Sequence, residues 1–424
     1  MNPTHSALAF VLALGATPAL AQYGPSAPPP QVPVRPMTPA TAEPTGSGYK
    51  PVISNQARKE IVELQTAVNA KDVANIPAKL AAAQAKAKTK DDKYVIARLQ
   101  LKAALDANDN SAMAVAIEGL IASGAVPSGE SVVLYNNLGK LNYNAKAYDK
   151  AGAAFERVLQ IDPVNQDALI MLGETRNSQG RAADGVTMIQ KAIAARRAAG
   201  GKPDEAWYKR AVALAYNANL PAAPALARDW ASAYPSPKNW RDAIRIYQTS
   251  SKLPDDELLD SMRLAQAAGA LTGENDYFRF ANTLVSKGFP GEAKTVLDQG
   301  FAANTIKKSS PTFAQLYGVA TVKSQGDRAS LAASAKTALA GAAVRPVMVT
   351  ADAYYGYGDY AEAASLYRAA LTKSGADKNL ANLRLGMALA RSGDKAGATL
   401  ALGAVGGAQA EVAKLWLAYL ATKA

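Results

Sequence analysis

Between residues 134 and 163 the chain reads LYNNLGKLNYNAKAYDKAGAAFERVLQIDP, and its apolar positions recur at a helical period. Leu138, Asn142 and Ala145 share one helix face, and after a turn at Lys146 and Ala147 the residues Ala151, Phe155, Val158 and Leu159 share another. Pro163 cannot continue the second helix. The pattern predicts two amphipathic helices joined by a short turn. Neither helix can bury its apolar stripe alone, so the pair needs neighbours.

Those neighbours recur along the chain. Leu172-Gly173 follows Leu138-Gly139 by 34 positions (172 − 138), Gly180 falls at the next inter-helix turn, and Ile189 and Ala192 follow it. These positions resemble the tetratricopeptide repeat (TPR) family, whose repeat has a bulky residue at position 4, Leu-Gly at 7–8, a large residue at 11, small residues at 8 and 20, an aromatic at 24 and Pro at 32. Tyr135, Leu138, Gly139, Ala151, Phe155 and Pro163 match, and Asn142 departs at position 11. With short insertions the frame continues through Trp207, Ala211, Ala223 and Pro235, then Trp240 and Tyr247, then Tyr277, Ala281, Gly288 and Ala293. It returns clearly in Gly358, Tyr360, Ala363, Tyr367 and Ala370, and again in Leu385-Gly386, Gly393 and Ala398. The segment around Gly326 matches poorly, and residues 54–127 are Ala-rich helical pairs with a degraded motif.

The resemblance implies an all-α, TPR-like α-solenoid of roughly ten helical pairs over 54–424, its clear repeats beginning at 128. The last helix, around Leu415–Leu420, is expected to cap the final apolar face. Gly139 and Ala151 lie where the two helices of a repeat cross, so they are packing residues. Composition agrees with an array: 424 residues exceed one ordinary core, hydrophobic residues make up 49% but aromatics only 7%, and Ala, the best helix former, dominates the apolar content.

The N-terminus changes the picture. ALAFVLALGATPALAQ is an apolar run of signal-peptide length ending in Ala19-Leu20-Ala21, a small-x-small pattern that places cleavage before Gln22. The segment before it, MNPTHS, carries no Lys or Arg, a departure from the usual leader. Residues 1–21 are therefore expected to be removed. Residues 22–53 are Pro-rich, cannot bury a core, and read as a disordered linker of polyproline II character. Fully extended, such a tether reaches on the order of 80 Å. A periplasmic or secreted location follows, with no later run long enough to span a membrane.

Lys and Arg number 47 against 35 Asp and Glu, a net charge of +12. An exported protein meets no nucleic acid, so the charge points to an acidic envelope component. Catalytic chemistry is sparse. The single His, His5, lies in the leader and Cys is absent, so the mature chain has none of the usual zinc ligands, no Ser-His pair and no Cys nucleophile. GYGDYA at 356–361 has dinucleotide-site spacing but follows a helical segment and reads as a turn. Ser47/Lys50 and Ser392/Lys395 match S-x-x-K without partner motifs. The carboxylates of PDDELLD at 254–260 suit a helix start. No enzymatic activity, cofactor or metal is expected.

The expected function is binding. In TPR proteins the first helix of each repeat presents positions 2, 5, 9 and 12 to a concave groove that takes peptides or partner proteins. Carried over, the resemblance implies groove residues Asn136, Lys140 and Tyr143, then Tyr208 and Val212, then Lys238, Arg241, Arg245 and Gln248, then Phe278 and Asn282 with Arg279 beside them. Arg241 and Arg245 stand one turn apart without an acidic neighbour at i+4, which suits a carboxylate-bearing ligand. The alternative is that these are solvated surface arginines. The reading is a non-enzymatic scaffold or adaptor of the bacterial cell envelope. The alternatives are an accessory for export or assembly of an anionic polysaccharide, or a peptidoglycan-acting hydrolase with an acidic site.

Overall fold

The computed structural model describes residues 49–250 and 253–423, so the expected leader and most of the Pro-rich segment lie outside the described residues. Among the described residues there are twenty α-helices and no strand. They fall into two compact units, one ending at Leu220 and one beginning at Pro221.

The first unit contains α1 (Arg58–Asn69), α2 (Ile76–Lys86), α3 (Lys90–Asp106), α4 (Asn110–Ala122), α5 (Ser128–Asn144), α6 (Tyr148–Ile161), α7 (Gln166–Ser178), α8 (Ala182–Ala198) and α9 (Glu205–Asn217). Four hairpins, α1–α2 to α7–α8, turn through a single left-handed residue: Lys71, Asn108, Lys146 and Gly180. The helices of a hairpin cross at a small residue. A Cβ added to Gly139 would come within 2.5 Å of the Phe155 ring, and one on Gly173 within 2.9 Å of Ile189. Tyr94, Leu101, Met113 and Ile117 of α3 and α4 share one core with Leu134, Leu138 and Leu141 of α5.

Residues 49–54, the end of the Pro-rich segment, are tied to α3 as a strap. The Tyr49 hydroxyl and Val52 N–H donate to Asp91, while Ser54 donates through both N–H and Oγ to Asp92, at 2.8 Å each. The Tyr49 ring meets Tyr94 edge-on. Asp92 also caps α3 in a reciprocal pair with Thr89. Burial raises the Asp92 pKa, but the N–H groups of Ser54, Thr89 and Lys88 outweigh it and hold the carboxyl well below its usual range.

The second unit contains α10 (Ala223–Ala233), α11 (Pro237–Ser250), α12 (Asp255–Ala267), α13 (Glu274–Lys287), α14 (Pro290–Ala302), α15 (Pro311–Ala340), α16 (Val344–Tyr357), α17 (Tyr360–Leu371), α18 (Lys378–Ser392), α19 (Lys395–Gly403) and α20 (Ala410–Ala421). The poor match around Gly326 has a structural counterpart. There α15 runs unbroken for 30 residues, the length of two repeat helices, with Gly326 in its middle.

This fusion shifts the alternation of helices by one. α12 and α14 are the second helices of their hairpins and α16 and α18 the first of theirs, yet all four meet in one buried ionic network. Arg263 of α12, fully buried, forms a two-pronged pair with Glu292 of α14 at 2.9 and 2.7 Å and reaches Asp260 on its own helix at 2.9 Å. Asp352 of α16 accepts from Arg384 of α18 at 2.7 Å and from the Tyr367 hydroxyl at 2.7 Å, and stands 3.6 Å from Arg263. Arg384 also approaches Asp260 at 3.5 Å and Asp256 at 3.3 Å. Burial would lower the Arg263 pKa, but Glu292, Asp260 and Asp352 hold it well above the ordinary value.

The last helix does more than cap its neighbour. Packed on α19, α20 also reaches back to the start of the unit. Trp416, fully buried, donates to the Asp260 carbonyl, the Tyr419 hydroxyl donates to the Ala267 carbonyl, Tyr419 meets Trp240 edge-on at 5.7 Å, and Glu411 pairs with Arg228 at 3.2 Å.

Two outcomes follow. Arg263→Met leaves Glu292 and Asp260 charged and buried, and equilibrium denaturation of the full chain should show a loss of about 3–5 kcal/mol in the transition of the second unit. The strap depends on ionised Asp91 and Asp92, whose folded pKa values are both depressed. Its stabilisation is therefore complete above the ordinary carboxylate range and declines as pH falls below about 4. Limited proteolysis near residue 50 should accelerate on acidification through that range, and the acid dependence should flatten in Asp92→Asn.

Candidate functional site

The expected groove residues divide between the two units. In the first, Asn136, Lys140 and Tyr143 all lie on α5, and all are buried. Tyr143 meets Tyr148 edge-on at 5.6 Å, and burial pushes its hydroxyl pKa up. Tyr208 is buried as well, with Arg197 stacked on its ring at 5.5 Å and donating to its hydroxyl at 2.6 Å, and Val212 beyond it on α9 is buried too. The side chains at these five positions are thus buried among neighbouring helices, and of the five only Asn136 lines a recess. On the adjoining turns, Glu174 of α7 is clamped by both prongs of Arg210 of α9 at 2.6 Å. A recess of about 310 Å³ does open at the beginning of α5 and α7, lined by Val132, Val133, Asn136 and Asn137 together with Asp162 and Asp167.

In the second unit, four of the expected residues converge. Arg241, Arg245 and Gln248 of α11 and Arg279 of α13 line one shallow recess of about 40 Å³, floored by Ile244, Met262 and Leu271. The helical spacing explains the convergence on α11, since residues 241, 245 and 248 lie on one stripe. The remaining three stand outside it. Lys238 pairs with Asp242 at 2.8 Å, while Phe278 and Asn282 are exposed on α13.

The recess contains a carboxylate that helix periodicity could not reveal. Asp276 of α13 accepts from Arg241 at 3.1 Å and from Arg245 at 3.0 Å, so the two arginines are bridged by a residue 31 to 35 positions away. The expectation that this pair stands unneutralised is corrected accordingly. Arg279 differs: it is exposed and, among the described residues, forms no ion pair. The recess lining thus holds three guanidinium groups and one carboxylate, an excess of two positive charges (3 − 1).

The motif-like segments resolve as structure. Gly358 and Gly393 occupy left-handed turn positions between α16 and α17 and between α18 and α19, where residues with a side chain are disfavoured. Of PDDELLD, Asp255, Asp256 and Glu257 form the first turn of α12, but Asp260 belongs to the buried ionic network. The sequence offered a signal for that network only in Asp260 and Arg263, one turn apart on a helix whose opposite face is also apolar.

Residues 348–410, which span α16 to α19, match the family model of the tetratricopeptide repeat. No curated protein matches the chain. Among solved structures, the chain is similar at 11% identity to the TPR domain of P58(IPK), covering 80% of this chain and 98% of that one with a TM-score of 0.19. It is similar at 12% identity to a chain in the structure of Naa15/Naa10 bound to HypK-THB, covering 84% of this chain and 70% of that one with a TM-score of 0.20. The likeness lies in the repeat match over 348–410 and in the hairpins themselves. In the matched pair, counting position 8 at Ala351 and Gly386 puts Asp352 and Tyr355 of α16 and Leu383 and Met387 of α18 at the concave positions 9, 12, 5 and 9, and all four are buried. With its match over 348–410 and its hairpins crossing at small residues, the chain carries the tetratricopeptide repeat in that segment and has a TPR-like all-α fold.

Proposed function

We propose that this repeat protein is an exported scaffold or adaptor of the bacterial cell envelope, and that it holds a carboxylate-bearing partner protein at the Arg241/Arg245/Arg279 recess. The repeat fold is a scaffold for protein–protein interaction; the location and the chemistry of the partner are the proposal. The observation that carries it is Arg279, exposed and without an ion pair among the described residues, beside the Asp276 bridge, with Phe278 exposed next to it. Guanidinium groups pair with carboxylates through two parallel hydrogen bonds, and Asp276 holds Arg241 and Arg245 in place for a second acid to join them. An exposed aromatic beside such a cluster adds apolar contact.

Export is supported by the apolar run ending in Ala19-Leu20-Ala21 and by the Pro-rich segment after it. The net charge of +12 favours a second reading, an accessory to assembly or export of an anionic polysaccharide. The two readings differ in ionic-strength dependence and in the residues required. Attraction of a whole basic surface to a glycan falls steeply with salt and does not depend on one arginine. A docked carboxylate depends on Arg279.

Two measurements test this. N-terminal sequencing of the protein from fractionated cells should give a chain beginning at Gln22 in the envelope fraction, and a cytoplasmic chain beginning at Met1 would contradict export. A photo-cross-linking residue placed at Phe278 in living cells should capture a discrete protein. Arg279→Glu should reduce that capture at least tenfold while leaving the thermal transition unchanged. Undiminished capture in the variant would remove the recess from the account, and capture of glycan alone would replace the adaptor reading by the polysaccharide one.

A further inference from the structure

The long helix α15 carries a turn signature in its middle. In the hairpins of α5–α6, α7–α8 and α18–α19 the left-handed turn residues are Lys146, Gly180 and Gly393. Each lies seven positions after the glycine at the helix crossing (146 − 139, 180 − 173, 393 − 386), and each crossing glycine touches a residue sixteen positions on (155 − 139, 189 − 173, 402 − 386). Ser178-Gln179-Gly180-Arg181 makes one of these turns, and Gly393-Asp394 and Gly358-Asp359 make two more. The chain repeats the same residues at Ser324-Gln325-Gly326-Asp327-Arg328, yet there the helix runs straight through. Gly in a helix interior costs about 1 kcal/mol relative to Ala, so this glycine weakens the helix that contains it.

What keeps α15 straight is local to that point. The Tyr357 hydroxyl, at the end of α16, lies 3.1 Å from the Ser324 carbonyl and 3.0 Å from the Asp327 carboxylate. Arg328 stacks on the Tyr357 ring at 4.8 Å and pairs with Asp359 at 3.4 Å. The second half of α15 buries little beyond Leu331 and Ala338. The straight helix is also what brings α16 and α18 against α12 and α14. That interface joins the ionic network to a close glycine contact of α14 on α16, where a Cβ on Gly356 would come within 2.6 Å of Glu292; its buried ion pairs contribute little net stability because water solvates the separated charges well.

We propose that α15 is a hinge centred on Gly326, with a second state in which residues 327–340 fold back on 311–325 as an antiparallel hairpin. In that state the alternation of helices is restored. The Arg263–Glu292 and Arg384–Asp352 groups then part from each other, and the concave positions Asp352 and Tyr355 are released from Arg263 of α12. The structure is then the closed state, with Arg263 of α12 against Asp352 and Tyr355. The hinge stands independently of the partner proposed at the arginine recess.

The absence of cysteine makes the test direct. By the spacing of the other hairpins, Val319 (326 − 7) and Ala335 (319 + 16) would touch in the bent state. In the straight helix their Cα atoms stand roughly 24 Å apart, far beyond the ~7 Å a disulfide can span. The full chain carrying Val319→Cys and Ala335→Cys is exposed to mild oxidant without denaturant, and closure is followed by mass and gel mobility. The expected result is an intramolecular disulfide that forms faster than in a Lys323→Cys/Leu339→Cys chain, which has the same spacing but different heights along the hairpin. Gly326→Ala should slow closure at least about fivefold, the factor matching roughly 1 kcal/mol of helix preference, and Tyr357→Phe should accelerate it. No closure, equal rates for the two cysteine pairs, or a disulfide between chains would each overturn the hinge. Because closure is read within the parent chain with the control pair beside it, a variant that fails to fold leaves the comparison intact.

Discussion

The second unit depends on one buried guanidinium. Arg263 has no access to water, and its charge is tolerable only because Glu292, Asp260 and Asp352 surround it while Phe289 and Tyr355 offer their ring faces at 5.6 and 4.8 Å. Those partners come from α12, α14 and α16, and Arg384 extends the set to α18. Satisfying this charge therefore fixes the mutual placement of four helices, and Trp416 and Tyr419 then seat α20 against α12 by bonding its backbone carbonyls. A repeat array held only by nearest neighbours has no such long-range tie.

That arrangement accounts for the burial of concave positions in the matched segment. Concave positions in the matched segment are buried against the unit's own helices, and those on α5 are covered within the first unit. Four of the expected positions, Arg241, Arg245, Gln248 and Arg279, line the recess between α11 and α13, where Asp276 bridges two arginines and Arg279 forms no ion pair among the described residues. On the proposed reading recognition falls to that charged recess, while the concave positions Asp352 and Tyr355 lie against Arg263 of α12.

Much of the fold was legible in the sequence because repeat packing is local. Gly139 with Phe155, the turn at Lys146, and the Leu385-Gly386 pair all sit where the 34-residue frame puts them, since each reports contact within one hairpin. The long-range features were not legible. Asp276 lies on a different helix from Arg241 and Arg245, so no i+4 rule could pair them. Asp352 and Arg384 look like ordinary surface charges until α15 shifts the helix alternation and turns them inward. Gly326 shows the limit from the other side: its neighbours spell a turn, and tertiary contacts from Tyr357 and Arg328 override it.

The central claim is that α12 and α18 belong to one cooperative structure tied by buried charge. Native-state hydrogen exchange across denaturant concentrations tests it most directly. The account predicts that the amides of residues 257–267 and 381–391 open with the same free energy and the same denaturant dependence, and that both lose protection together in Arg384→Met. Protection of 381–391 that persists while 257–267 exchanges independently would show that the ionic network does not join them, and would contradict the account.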